Sequence, residues 1–362
     1  MPGSRFTSSV SAMIGKRRSP KFSTSNVPTM PIRLAKLIGR HYPTDPHSGA
    51  RRSPVVYSRA VRAEYPPLPP LELAARVGGT HADAYAGYEE FGEATRREII
   101  RHLPADWSFA DKRVLDFGCG AGRTLRHFLG EAAEGSVAGC DIDVASIDWL
   151  EAHLSPPLKV FVAPDTPPLP LPEGELDLVW AISVFTHLTD TWSSWLAEIH
   201  RVLRDDGLLL ATFIGPGAAS WVTTEPWVEE GTGMNVLRYG QPWSLGGPMV
   251  MHSEWWLREH WGRAFEIVTL ERDGFATSNG GQGIVLMRKR PGAVSAPELE
   301  RIAPDDTREI AALRHQVGQI HRESLEARTS LAWLEGEHLR LAERLAATRK
   351  QRFRRFLRSH MP

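Results

Sequence analysis

From residue 113 onward, short apolar runs alternate with amphipathic stretches, and that alternation restricts the fold more than any other feature of the chain. KRVLDFG (112–118), VAGCDID (137–143), KVFVA (159–163), LDLVWAISVF (176–185) and LLLATF (208–213) each read as a buried strand. TLRHFLGEAA (124–133), ASIDWLEAHL (145–154) and SSWLAEIHRVLR (193–204) read as the helices between them. The last places Leu196, Ile199, His200 and Leu203 at helical spacing, and Asp205-Asp206-Gly207 should end it. EWWLREHWG (254–262) adds a helix, and FEIVTLE (265–271) and IVLMRKR (284–290) add two strands. Strands alternating with helices make a parallel sheet covered on both faces. The expected fold class is therefore α/β, a doubly wound, mostly parallel seven-stranded sheet, with ligands gathered at the carboxyl ends of its strands.

The 362 residues leave room for appendages around that domain. Residues 1–65 read as a disordered basic tail. Their first 63 hold twelve Lys and Arg against a single acid, Asp45, a composition that also suits an organelle transit peptide. Residues 66–109 form a helical lead-in that starts with the stiff PPLPP run, and residues 110–291 form the domain itself. A long insert, 214–252, interrupts it. Residues 292–304 are a linker, 305–348 a coiled coil and 349–362 a second basic tail.

The balance of charges is zero, so no global field points to nucleic acid or to an acidic partner. The catalytic half also lacks a basic groove with interleaved aromatics, and no nucleic-acid partner is expected. Cys119 and Cys140 are too few for a disulfide framework and lack zinc-ligand spacing; no metal site is expected. No apolar run reaches the roughly eighteen residues of a membrane span, and none near the N-terminus reads as a secretory signal. The expected location is cytoplasmic.

VLDFGCGAGRTLRHF (114–128) carries the strongest functional signal. Gly118, Gly120 and Gly122 allow backbone to pass close to a ligand between strand and helix. The spacing is G-x-G-x-G, whereas a dinucleotide fingerprint needs G-x-G-x-x-G, and Arg123 occupies the third glycine position. With Asp116 two residues ahead of the first glycine, this segment resembles the first motif of class I S-adenosylmethionine-dependent methyltransferases. AISVFTHL (181–188), which holds Ser183, resembles their fourth-strand motif, and RVLRDDGLLLATF (201–213) their following helix, turn and strand. The resemblance covers about half the chain. It implies a Rossmann-like methyltransferase fold with S-adenosyl-L-methionine as cofactor. It also implies that Asp116, Gly118, Gly120 and Gly122 hold the methionine moiety, with Ser183 facing the cofactor from the fourth strand. Asp141 ends the second strand, where an ionised carboxylate can accept both ribose hydroxyls; Asp143 is the competing candidate. DTPPLPLPEGELDLV looks like the family's third-strand loop, which puts Asp165 near the adenine amino group.

Methyl transfer to a hydroxyl needs a base. His187, at the active end of the fourth strand, is the first candidate, and His252 the second, with a helix N-terminal role and Ser253 as cap the competing reading. Six of the twelve tryptophans fall between Trp221 and Trp261, in or beside the insert, where flat faces suit rings or acyl chains. Trp255, Trp256 and Trp261 could instead pack the insert against the sheet. Glu225, Glu229 and Glu230 could accept substrate hydroxyls. No [DN]-P-P-[YFW] motif and no Pro-Cys nucleophile occur. The acceptor is read as a hydroxyl of a small molecule or glycan. An inactive scaffolding module and, less favoured, a nicotinamide-dependent oxidoreductase are the alternatives.

Toward the C-terminus, Ile310, Leu313, Val317, Ile320, Ser324, Ala327, Leu331, Leu334, His338, Leu341 and Leu345 keep a 3–4 spacing. This seam predicts a homo-oligomer, with folding back onto the domain as its rival. RKQRFRRFLRS, at the end, could touch an anionic membrane.

Overall fold

The computed structural model describes residues 66–77, 83–242, 246–275 and 281–360; the basic segment 1–65 lies outside them. Seven strands form one sheet in the order β3-β2-β1-β4-β5-β9-β8. They are β1 Arg113–Phe117, β2 Ser136–Asp141, β3 Lys159–Val162, β4 Leu176–Ala181, β5 Leu203–Phe213, β8 Phe265–Phe275 and β9 Gln282–Lys289. The first five run parallel, and β9 lies antiparallel between β5 and β8. The expected mostly parallel, doubly wound sheet is what the chain forms.

Neighbouring residues on each strand point to opposite faces, which is why the central strands are apolar throughout. Val114, Leu178 and Leu208 pack with Leu125, Phe128 and Leu150 on one side. Leu115, Val179 and Leu209 pack with Leu196, Ile199 and Phe185 on the other. Trp180, fully buried, stacks on Phe128 with ring centroids 4.6 Å apart.

Helices α1 (Leu71–Val77) and α2 (Ala84–His102) make the lead-in. Asp83 caps α2, its carboxylate accepting from the amides of Tyr85 and Ala86. Helices α3 (Leu129–Glu134), α4 (Val144–Leu154) and α5 (Trp192–Val202) connect the parallel strands. One boundary differs from expectation. Helix α5 stops at Val202, and β5 already begins at Leu203, paired with Leu176. Asp205-Asp206-Gly207 is an irregularity within the strand, with Asp206 at φ +60°.

The insert contains α6 (Pro216–Val222), α7 (Glu229–Thr232) and an antiparallel ribbon of β6 (Met234–Leu237) and β7 (Met249–His252). Helix α8 (Glu254–His260) follows, and Trp255, Trp256 and Trp261 are buried. These three tryptophans fill the core, while Trp221 is exposed. Glu225 pairs with Arg322, and Glu229 accepts from the Trp227 indole and the Glu254 amide. Ser253 stands at the N-cap of α8, but its buried hydroxyl makes no capping bond.

Residues 292–304 hold a short helix, α9 (Ala296–Glu300), with Leu299 fully buried. Helix α10 then runs from Thr307 to His360. It meets the domain through Glu309, Ala312, Gln316, Gln319 and Glu323, a stripe one residue ahead of the leucine seam. Glu309 bonds Nε2 of buried His260 at 2.8 Å, and Ala312 is 6% exposed. The Gln316 side chain accepts from the Val236 amide at 2.6 Å and donates to the Val236 carbonyl at 3.0 Å. Glu323 accepts from the Arg238 amide at 2.9 Å. The seam itself does not fold back: Ile310, Val317, Leu331, Leu341 and Leu345 are 40–67% exposed.

Candidate active site

Because β1, β2, β3, β4 and β5 are parallel, their carboxyl ends share one edge of the sheet. The candidate residues collect there. Gly118, Gly120 and Gly122 have φ of +80°, +52° and +81°, left-handed values that a side chain would strain. A Cβ on Gly118 would collide with Val184, and one on Gly120 would sit 2.9 Å from Val77 Cγ1. The glycines thus bring the turn against both the fourth-strand loop and the lead-in helix.

Asp141 braces this turn. Its Oδ2 accepts from the Gly120 amide at 2.7 Å and its Oδ1 from the Asp143 amide at 2.9 Å. Burial raises its pKa above the usual carboxylate range, and those amides offset only part of the rise. Each oxygen keeps a lone pair beyond its amide bond, so two hydroxyls could still be accepted. Asp143 is spent elsewhere: it accepts from Arg76 and from the Ser146 hydroxyl, each at 2.6 Å. Burial opposes its ionisation, but Ser146 and Arg76 outweigh that and hold it below the usual range.

Asp116 is 2% exposed, and its Oδ2 has no hydrogen-bond partner among the described residues. Burial pushes its pKa up to about 7; Asp141 adds to the rise, while the Trp180 indole and Arg123 oppose it. The Trp180 indole N–H likewise has no hydrogen-bond partner among the described residues. A buried carboxylate oxygen left open costs free energy that a cationic or hydrogen-bonding ligand would recover. Asp165 lies exposed on the loop after β3.

Ser183 follows β4 at φ +60°, a strained setting for a residue with a side chain. Two bonds hold it: its amide donates to Thr212 Oγ1 at 2.7 Å, and its hydroxyl donates to Gln282 Oε1 at 3.0 Å. His187, in the same loop, is tied to the insert through Nδ1 and the Pro248 carbonyl, 2.7 Å apart. A carbonyl can only accept, so Nδ1 carries the proton and Nε2 is the basic nitrogen of the neutral ring. Burial lowers the His187 pKa, against the Pro248 bond, so the ring is neutral at pH 7.

His252 is different. It is fully buried against Trp256 and Trp261, and neither ring nitrogen has a hydrogen-bond partner among the described residues. Burial, aided by His260, depresses its pKa to about 3. The edge of the sheet gathers Asp116, the three glycines, Asp141, Ser183 and His187, while His252 belongs to the core behind them.

Several contacts at this edge carry no local sequence signal. Arg123 reaches from the turn to the Val77 carbonyl, and the buried Tyr88 hydroxyl donates to the Ala121 carbonyl at 2.7 Å. Arg76, Val77 and Tyr88 come from the lead-in, far away in sequence. Gln282 arrives because β9 is antiparallel and therefore begins where β5 ends.

Residues 115–211 match a protein family described as a methyltransferase domain, and the matched segment spans β1 through most of β5. Over that segment the chain is similar to methyltransferase domains. Among curated proteins the chain is similar to the malonyl-[acyl-carrier protein] O-methyltransferase of Laribacter hongkongensis, 34% identical over 132 residues, covering 34% of this chain and 42% of that protein. It is also similar to phthiotriol/phenolphthiotriol dimycocerosates methyltransferase 1 of Mycobacterium ulcerans, 32% identical over 112 residues, covering 30% and 41%. The chain thus spans about two fifths of the length of these relatives. Among solved structures, a TehB-like SAM-dependent methyltransferase from Corynebacterium glutamicum aligns at 21% identity and a TM-score of 0.38, covering 57% of this chain and 92% of that one. The matched segment includes Asp116, Asp141, Asp165, Ser183 and His187 and ends before the insert.

Proposed function

We propose that this chain is an S-adenosylmethionine-dependent methyltransferase that acts on a hydroxyl of a glycan or small metabolite. The observation that carries the reading is the glycine turn set between two carboxylates, one braced by a turn amide and one with a buried oxygen left open. Asp141 would take the ribose hydroxyls, Asp116 and the turn at Gly118, Gly120 and Gly122 the methionine moiety, and Asp165 the adenine amino group. Ser183 would border the cofactor from the fourth strand.

S-adenosylmethionine brings a methyl carbon already activated by its sulfonium, which leaves the protein to align the acceptor, exclude water and remove a proton. His187 takes that proton at Nε2, because its Nδ1 proton is committed to the Pro248 carbonyl. His252, enclosed in the core, serves packing rather than proton transfer in this reading. An oxygen acceptor agrees with the O-methyltransferase activity named for one relative. We further take the protein to be cytoplasmic and a homo-oligomer through α10; no helix among the described residues is long and apolar enough to cross a membrane.

Calorimetry with S-adenosylmethionine and, separately, NAD tests the reading. Binding of the first alone supports it, and binding of NAD alone or of neither overturns it. Transfer of a labelled methyl group to a hydroxyl compound in a cell extract would then locate the acceptor.

A further inference from the structure

The leucine seam and the basic end of α10 belong to one continuous helix. Its first turns hold the domain through Glu309, Gln316 and Glu323. The seam lies one residue on, so the helix can meet a partner without leaving its domain. Beyond Glu323 it continues to His360, about 55 Å at 1.5 Å per residue. Leu331, Leu334, Leu341 and Leu345 are 52–65% exposed there, an apolar stripe that no other described residue covers.

With Ile310 at heptad position a, Glu323 falls at g and Arg328 at e. A parallel, in-register pair sets Glu323 beside Arg328 of the second copy, an attraction. A blunt-ended antiparallel pair faces Arg328 with its own equivalent, a repulsion. The Glu323–Arg328 pairs thus favour the parallel arrangement, in which Arg344 and Arg349 are a like-charge pair, and a parallel pair brings both C-terminal ends to one place.

Those ends are distinctive. No acid follows Glu343, and residues 349–358 contain six Lys and Arg. Phe353, Phe356 and Leu357 fall on one helical face, with the two phenylalanines 62% and 57% exposed. Basic residues around a short apolar face suit an anionic bilayer, which attracts the charges and accepts the rings. A nucleic-acid backbone would use the charges and leave the rings in water.

We propose that two copies of this chain pair in parallel along α10 and present their basic, phenylalanine-bearing ends together to an anionic lipid surface, with the methyltransferase domains held back from it. One such end makes a weak contact, and two linked ends bind as a unit, because the second contact becomes intramolecular. The proposal rests on the homo-oligomer reading of α10 given above but not on methyl transfer, and its test does not measure catalysis.

Sedimentation equilibrium and vesicle cosedimentation on the full chain test it, with phosphatidylcholine vesicles compared with and without phosphatidylserine. The wild type should be dimeric and bind only the anionic vesicles, less tightly as salt rises. Leu331→Asp with Leu334→Asp, both beyond the docking stripe, should give a monomer that binds at least about tenfold more weakly. Phe353→Ser with Phe356→Ser should stay dimeric and lose binding. Unchanged circular dichroism of the domain checks that each variant is folded. A monomeric wild type, absence of anionic-vesicle binding, equal binding by the monomeric variant, or binding to duplex DNA without binding to vesicles would each overturn the proposal.

Discussion

The Nδ1–H of His187 donates to the carbonyl of Pro248 across 2.7 Å, joining the fourth-strand loop to the insert. This bond fixes the tautomer and the ring plane of the candidate base. His187→Ala should lower turnover about 10²–10⁴-fold, the usual contribution of a general base. Affinity for S-adenosylmethionine should be nearly unchanged. Steady-state kinetics and calorimetry check this, and a variant that keeps half of wild-type turnover would exclude His187 as the base.

Asp141 should decide cofactor affinity. Loss of a carboxylate that accepts two ribose hydroxyls should cost about 2–4 kcal/mol, since charge-assisted bonds contribute roughly 1.5–3 kcal/mol each before compensation. Asp141→Ala also frees the Gly120 amide, so Asp141→Asn, which keeps an acceptor there, should lose less. Calorimetric titration of both variants, with circular dichroism to verify the fold, measures the difference; wild-type affinity in Asp141→Ala refutes the assignment.

Asp116 makes a pH prediction. Its folded-state pKa of about 7 lies above the ordinary 3.8, so the folded, unliganded protein binds a proton that the unfolded chain releases. Its contribution favours folding below pH 3.8 and is lost as pH rises toward and through 7. Ligand binding to the ionised form runs the other way, and affinity for S-adenosylmethionine should strengthen between pH 6 and 8. In Asp116→Asn, binding should be weaker and this pH dependence should flatten. An unchanged pH profile in that variant assigns the titration to another group.

His252 has the opposite sign. Its folded pKa of about 3 is below the unfolded 6.5, so its contribution to stability is complete above pH 6.5 and declines as pH falls toward 3. His252→Phe keeps a ring between Trp256 and Trp261 and removes two unpartnered nitrogens. Its thermal midpoint should gain on the wild type by more at pH 4.5 than at pH 8. Equal differences at the two pH values would locate the acid sensitivity elsewhere.

The strands, the glycine turn and its two carboxylates were legible in the sequence because each depends on local spacing. The apolar runs of β1 and β2 end in Gly118 and Asp141 at the carboxyl edge of the sheet, so Asp116 and Asp141 mark their own positions. The partner of Asp143 was not legible: Arg76 lies 67 residues away and sits in a helix whose packing no periodicity announces. The early start of β5 escaped for a related reason. Asp-Asp-Gly signals a turn, and only pairing with β4 turns it into an irregularity within a strand. Most instructive is α10. Its leucines advertised a seam, yet the first turns attach by two acids, two amides and an alanine, a polar stripe that resembles a solvated face until the groups it bonds are known.

The Gln316 amide binds both the N–H and the C=O of Val236, as the backbone of an adjoining strand would. A two-stranded ribbon has open rims, and an open rim is a template for any extended chain that drifts by. Helix α10 therefore acts as a guard rail for the insert as well as an arm reaching outward. A protein shortened before Thr307 would lose that cover and could cling to its own kind edge to edge. Association in such a fragment would report a bared ribbon, whereas association of the intact chain would test the leucine seam.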